Sequence, residues 1–180
     1  CNNCSNGGCQ CGNMGLNGPW LKEEARHQLG AITHPTIEDI TELIIRFSRR
    51  ATRDGKGHLR VRLWKMDLKG AFKLMSFRPD DVDLMASELP GGLMAFFLCG
   101  TFGWGGTPFA FQTITRALTW ELRTRKRTGT GRDSTGWIRG DATMYVDDII
   151  GISFEQDVAE DMAGVKALCE QLLGPGSISD

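Results

Sequence analysis

Met144-Tyr145-Val146-Asp147-Asp148-Ile149-Ile150 places two adjacent carboxylates inside an apolar, β-branched run. β-Branched and aromatic residues favour strands, and Asp is depleted from them. The stretch therefore reads as a β-hairpin over roughly residues 142–154, with Asp147-Asp148 at its tip. An unpaired carboxylate is costly to bury. Either the two acids are a solvated turn, for which Asp is well suited, or something positive sits beside them.

A second acid bears on that choice. In Leu63-Trp64-Lys65-Met66-Asp67-Leu68-Lys69-Gly70-Ala71-Phe72, a run over 59–66 alternates Leu59, Val61 and Leu63 with Arg60, Arg62 and Trp64. This is strand periodicity, and it leads directly into Asp67. If the two strands are neighbours, Asp67 and Asp147 converge at one sheet edge. Converging carboxylates repel unless a cation or a proton lies between them. Their oxygens suit Mg2+, which takes substrate phosphates as further ligands, and two such ions about 3.5–4 Å apart serve in-line phosphoryl displacement. A general acid–base pair of the glycosidase kind is the rival use.

Between these acids lies Phe102-Gly103-Trp104-Gly105-Gly106-Thr107-Pro108-Phe109-Ala110-Phe111-Gln112. Glycines let a backbone approach a ligand closely. Thr107-Pro108 reads as the N-cap and first position of a helix whose apolar face is Phe111, Ile114, Leu118 and Leu122. The loop has the spacing of neither a P-loop nor a dinucleotide fingerprint.

The rest of the chain supplies a frame. Thr36 caps a helix with Ile37, Ile40, Ile44 and Phe47 on one face, ending at Arg49-Arg50. Strands over 84–89 and 93–99 flank the turn Pro90-Gly91-Gly92. The basic, glycine-rich stretch 123–140 reads as a loop. Ser153 and Gln156 form a candidate capping box for a last helix with Val158, Met162, Val165, Cys169 and Leu172 on one face, stopped at Gly174-Pro175. The order β, β, β, α, β, β, α gives an α+β fold, an antiparallel sheet with helices packed on one face.

The 180 residues, 41% hydrophobic, suit one domain with or without a tail. No apolar run approaches the roughly 20 residues that span a bilayer, and no signal-peptide pattern is present. The expectation is an intracellular chain that meets no membrane, in either cytoplasm or nucleus. Because it begins at Cys1, a fragment of a longer reading frame is expected. Net charge is −1, but charge is clustered. Residues 46–73 carry ten basic residues against Asp54 and Asp67, and 116–139 carry seven against Glu121 and Asp133. Such clustering is compatible with a phosphate-facing surface or with ordinary solvated faces. Cys99 and Cys169 stand in apolar contexts and read as buried. Cys1, Cys4, Cys9 and Cys11 could hold zinc, but the fourth is misplaced for a zinc knuckle. Residues 1–30 therefore read as a flexible Cys/Gly/Asn-rich leader, with a zinc-binding module as the alternative.

Taken in order, the three motifs resemble the palm of reverse transcriptases (RNA-directed DNA polymerases) of retroviruses and retrotransposons. Met66-Asp67-Leu68-Lys69-Gly70-Ala71-Phe72 is similar to the first motif. Gly103-Trp104-Gly105-Gly106-Thr107-Pro108 through Phe111-Gln112 is similar to the second, and Tyr145-Val146-Asp147-Asp148 to the YxDD box. The resemblance covers about residues 59–173. It makes 31–58 a partial fingers-like helical segment and 59–180 a palm fragment. It implies a nucleotidyltransferase that extends a primer on an RNA or DNA template using dNTPs and two Mg2+ or Mn2+ ions.

Residue by residue, the resemblance makes Asp67, Asp147 and Asp148 catalytic. It makes Asp67, the Leu68 carbonyl, Asp147 and Asp148 metal ligands. Ala71, Phe72, Phe102 and Gly103 would line the nucleotide, with Phe72 as a steric gate against a 2′-hydroxyl. Tyr145, Trp104, Gly106 and Pro108 would meet template or primer. Phe102 stands where many retroviral members carry Gln. No Lys/Arg pair for the triphosphate is found upstream; Arg60, Arg62 and Lys65 are the substitutes at hand. Trp64 and Trp120 could stack on bases or pack in the core. The alternative is a catalytically inactive palm remnant that binds nucleic acid or protein. The element class and the oligomeric state are not specified by the sequence.

Overall fold

The acidic hairpin forms where the sequence places it. Strand β1 (Val61–Asp67) pairs antiparallel with β5 (Asp148–Phe154), and β5 pairs antiparallel with β4 (Asp141–Tyr145), giving a sheet of order β1-β5-β4. The register sets Asp67 opposite Asp148 and Tyr145 opposite Asp148. The computed structural model describes residues 17–124 and 138–179. It divides into two units, one of Thr33–Lys69 with Ile114–Asp180 and the other of Cys1–Ile32 with Gly70–Thr113.

The sheet belongs to the first unit. Alternation along β5 sends Ile150, Ile152 and Phe154 to one face and Ile149, Gly151 and Ser153 to the other. Helix α2 (Ile37–Arg53) covers the first face: Leu43, Phe47 and Ala51 form a buried cluster with Ile152 and Phe154. Helix α4 (Val158–Leu173) meets the second face, where its Asp161 accepts the Ser153 hydroxyl. The expected α+β class with an antiparallel sheet is observed, but these helices lie on both faces rather than on one. Two-sided cover explains why β5 is buried almost throughout.

Several local expectations are corrected by packing. α2 starts with the anticipated cap: Thr36 Oγ1 accepts from Asp39 N, and Asp39 accepts from Thr36 N at 2.7 Å. Those bonds hold the Asp39 carboxyl below its usual value. The helix runs on to Arg53, and its buried face is Leu43, Phe47 and Ala51, while Ile37 is exposed. On β1, Trp64 points inward and Leu63 outward, the reverse of the alternation read from that strand alone. The cause lies across the sheet. Opposite Trp64 stands Gly151, where any Cβ would fall about 2.0 Å from the indole ring. Trp64 is thus a core residue, whereas Trp120 is exposed.

The Ser153/Gln156 capping box does not form. α4 follows a 3-10 turn (Glu155–Asp157) without a side-chain cap, and Ser153 is engaged inside the sheet. The buried face of α4 is Asp161, Val165, Leu168 and Cys169, with Leu172 exposed. Burial, with Glu170 adding, pushes the Cys169 thiol up to about 12.

The second unit contains the hairpin β2 (Ala86–Leu89) and β3 (Leu93–Phe96), a sheet of its own. Its turn places Gly91 and Gly92 at positive φ, as the sequence suggested. The strands are shorter than expected, because Pro79–Met85 is a 3-10 helix. Helix α1 (Pro19–Leu29) occupies residues assigned above to the flexible leader. Pro at its first turn favours a helix start, but it buries no residue and so leaves no periodic apolar signal. Helix α3 (Thr107–Thr124) begins at the expected Thr-Pro and is divided between the units after Thr113. Cys1, Cys4, Cys9 and Cys11 and most of the basic loop lie outside the described residues. Among the described residues no helix is long and apolar enough to cross a membrane.

Candidate metal centre

The β1–β5 register delivers Asp67 and Asp148 side by side, and the hairpin turn adds Asp147. Each offers a carboxylate oxygen, and the three oxygens lie within 4.8 Å of one another. All three residues are half-buried. Backbone bonds fix the approach of the segments. Leu68 N donates to Asp147 O at 2.9 Å, so the chain just past β1 is tied to the hairpin turn.

A C-terminal segment runs along the other side of the same residues. Ile178 bridges Leu68; Lys69 N donates to Ser177 O at 2.8 Å, and Ser179 N donates to Asp67 O at 2.9 Å. The Ser179 hydroxyl also donates to the Asp67 carboxylate at 2.9 Å. Leu68 itself is buried.

The turn that carries Asp147 is unusual. Val146 has φ +54, and it is the non-glycine residue at positive φ among the described residues. A two-residue hairpin turn with positive φ at its first central position is a type II′ feature, where Gly is normally found. A β-branched residue in that region is strained. The turn therefore holds Asp147 at some cost in backbone energy.

Electrostatically the tip is short of positive charge. Lys65 Nζ lies 2.8 Å from Asp148 Oδ2. Its pKa is raised, chiefly by the hydrogen bond to Asp148 and also by the charges of Asp148, Asp67 and Asp147. Among the described residues, Lys65 and Ser179 are the side-chain partners of the three acids. Three formal negative charges facing one ammonium leave a deficit of two, which is the charge of one divalent ion. The donor set is all hard oxygen and partly exposed, as Mg2+ or Mn2+ prefers. The residues present fit such a cation.

The other residues singled out by sequence sort differently. Tyr145 is half exposed and stacks at 5.0 Å on His34. Ala71, Phe72, Phe102, Gly103, Trp104, Gly106 and Pro108 all belong to the second unit. There the Phe72 ring meets Phe102 at 5.0 Å and Phe111 at 5.4 Å. Phe102 remains largely exposed, and Pro108 is exposed. Ala71 and Gly106 are buried. Trp104 packs edge-on against Phe77 at 5.3 Å, and its buried Nε1 has no hydrogen-bond partner among the described residues. Gly103 adopts φ +90, and its carbonyl accepts from Asn17 at 2.7 Å. Of the basic substitutes, Lys65 is at the acids, while Arg62 is paired with Glu155 at 2.6 Å.

No family model and no curated protein matches this chain.

Sequence reasoning missed one carboxylate that the structure makes prominent. Asp161 is fully buried and accepts from Arg139 N at 2.8 Å, from Gly140 N at 3.0 Å and from the Ser153 hydroxyl. Ser153 in turn accepts from Trp64 Nε1 at 2.9 Å. The available signal was a pair of glycines, Gly140 just before β4 and Gly151 within β5. Gly140 and Gly151 leave room for the carboxylate and the indole, and a Cβ at Gly140 would fall 2.9 Å from Asp161 Oδ2.

Proposed function

We propose that this chain is a reverse-transcriptase palm that supports template-directed DNA synthesis by nucleotidyl transfer. The observation that carries the reading is the convergence of Asp67 with Asp147 and Asp148, from segments eighty positions apart, within 4.8 Å. That convergence was expected if the two acid-bearing strands were sheet neighbours, and β1 and β5 are paired. Asp67 and Asp147, with the Leu68 carbonyl, would hold two Mg2+ or Mn2+ ions, with Asp148 as the third acid. Bound there, the ions supply Lewis-acid activation of the primer 3′-hydroxyl and neutralise charge on the departing diphosphate. The chain's own contribution is positioning and a fixed negative site. Ser179 orients the Asp67 carboxylate, and the β1–β5 register sets the spacing. By the resemblance, Phe72 would be the steric gate that favours dNTPs over ribonucleotides.

A second reading is favoured by Lys65, whose ammonium already satisfies Asp148. On that reading the tip is partly neutralised by its own lysine, and the chain binds nucleic acid or protein without chemistry. Primer extension on an RNA template with Mn2+ separates the two. Extension abolished by Asp147→Asn, and accepting ribonucleotides after Phe72→Ala, is the expected result. Extension that survives Asp147→Asn would remove the polymerase reading.

A further inference from the structure

A groove of about 540 Å3 opens beside α2, lined by Arg46, Phe47, Arg49, Arg50, Arg53 and Asp141. The four arginines stand at i, i+3, i+4 and i+7, so they form one stripe along the helix. At 1.5 Å per residue the stripe is about 10 Å long. We propose that this stripe is a track for the phosphate backbone of a single nucleic-acid strand, distinct from the acidic tip.

Four observations support this. Four guanidinium groups face one carboxylate, so the lining is strongly cationic although the chain as a whole is near neutral. All four cations are Arg, whose planar fork matches phosphate oxygens in pairs. Arg50 lies over the Phe47 ring at 5.1 Å, so part of its ordering cost is met before any ligand arrives. Arg53 makes an ion pair with Asp54 at 3.6 Å, between two exposed side chains, where such pairs are weak and exchangeable.

The apolar content of the groove decides between kinds of partner. Phe47 is 3% exposed, and the rest of the lining is charged. A peptide partner needs a buried apolar or aromatic anchor, and among the six lining residues the one apolar side chain, Phe47, is nearly buried. A phosphate backbone needs only cations at a regular spacing.

Placement ties the track to the tip. Asp141 pairs with Ile152, and Ile152 shares its sheet face with Asp148. The groove and the acids therefore lie on one face of one sheet. Four residues separate Asp148 from Ile152, about 14 Å at 3.4 Å each. The track therefore lies beside the tip, on the α2-covered side of the sheet. Its catalytic meaning rests on the proposed function; binding at the track does not.

The test is therefore metal-free. Binding of labelled oligothymidylate to the full chain is followed by fluorescence anisotropy in EDTA across a salt series. The triple variant Arg46→Gln/Arg49→Gln/Arg53→Gln is expected to bind at least tenfold more weakly at about 0.1 M salt. Its log K versus log salt slope should be shallower by about 2, from about 0.7 per lost phosphate contact. Arg50 is left in place to protect its packing on Phe47. The matching Lys variant should keep most of the slope, since Lys retains the charge. Unchanged affinity and slope in the Gln variant would overturn the proposal. So would absence of binding by the wild type, or displacement of the oligonucleotide by polyglutamate at equal charge. None of these results touches primer extension, so failure of the track and failure of the polymerase reading are distinguishable.

Discussion

Asp161 and Asp147 are served by the same hairpin and live opposite lives. Asp161 is fully buried, and every donor around it points inward: two backbone N–H groups and a hydroxyl. Asp147 sits at the tip among two other carboxylates, half-buried, on a turn that bends a valine to positive φ. A carboxylate that accepts several good hydrogen bonds stabilises its fold as a charged group. One crowded by other acids repels its neighbours unless a cation lies between them. The difference lies in the donors, not in the residue type. It gives a physical criterion for separating structural acids from functional ones in this sheet.

The largest effect expected is at the buried acid. Asp161→Ala removes the acceptor from Arg139 N, Gly140 N and Ser153, and leaves those donors buried. Losing such partners costs about 1–3 kcal/mol per unsatisfied group, so a total of about 3–5 kcal/mol is expected in urea denaturation. The Arg139 side chain, held by Asp157 at 3.0 Å and Glu160 at 3.5 Å, should keep the helix start in place. A loss under about 1 kcal/mol would show that the network is solvent-accessible and would dissolve the contrast.

At the tip the expected pattern is inverted. Asp147→Asn removes one of three mutually repelling charges, so stability should stay within about 0.5 kcal/mol of wild type or rise. Mn2+ affinity, read by electron paramagnetic resonance, should fall tenfold or more. Equal Mn2+ affinity in the variant would mean that the three oxygens do not act as a ligand set. A stability loss as large as that of Asp161→Ala would mean that the tip acid is structural.

The same contrast explains what was legible in the sequence. The tip could be read because its signal is local. Acids inside β-branched runs are out of place, and each sits at the end of a strand whose period is visible. The Thr36 cap and the Thr107-Pro108 helix start are local signals of the same kind. Asp161 could not be read, because a mid-helix Asp looks solvated until the opposing Ser153 and the gap at Gly140 are known. The strand alternation grouped Trp64 with Arg60 and Arg62 for a related reason, since its inward space is created by Gly151 on another strand. The buried face of α2 was misjudged toward Ile37 because periodicity does not tell which turn of a helix lies clear of the sheet. Helix α1 escaped notice because it buries nothing. Pairings between distant segments decide these features, and one strand read alone does not contain them.

The smallest effect expected is at Val146, and it tests whether the tip is strained. A β-branched residue at φ +54 costs about 1–3 kcal/mol. Glycine adopts that conformation freely but loses more chain entropy on folding, by about 0.5–1 kcal/mol. Val146→Gly should therefore be neutral or stabilising by up to about 2 kcal/mol. It should also loosen the turn, so that Mn2+ binding weakens a few-fold while the β4–β5 register survives. Val146→Ala separates the two contributions: it keeps the positive-φ penalty but removes the β-branch, and should fall between wild type and glycine. Greater stability with weaker metal binding would show that the hairpin gives up fold energy to aim Asp147 at its neighbours. Destabilisation by glycine of more than about 1 kcal/mol would show instead that the valine side chain is held by packing, and the tip would then belong with Asp161 as architecture.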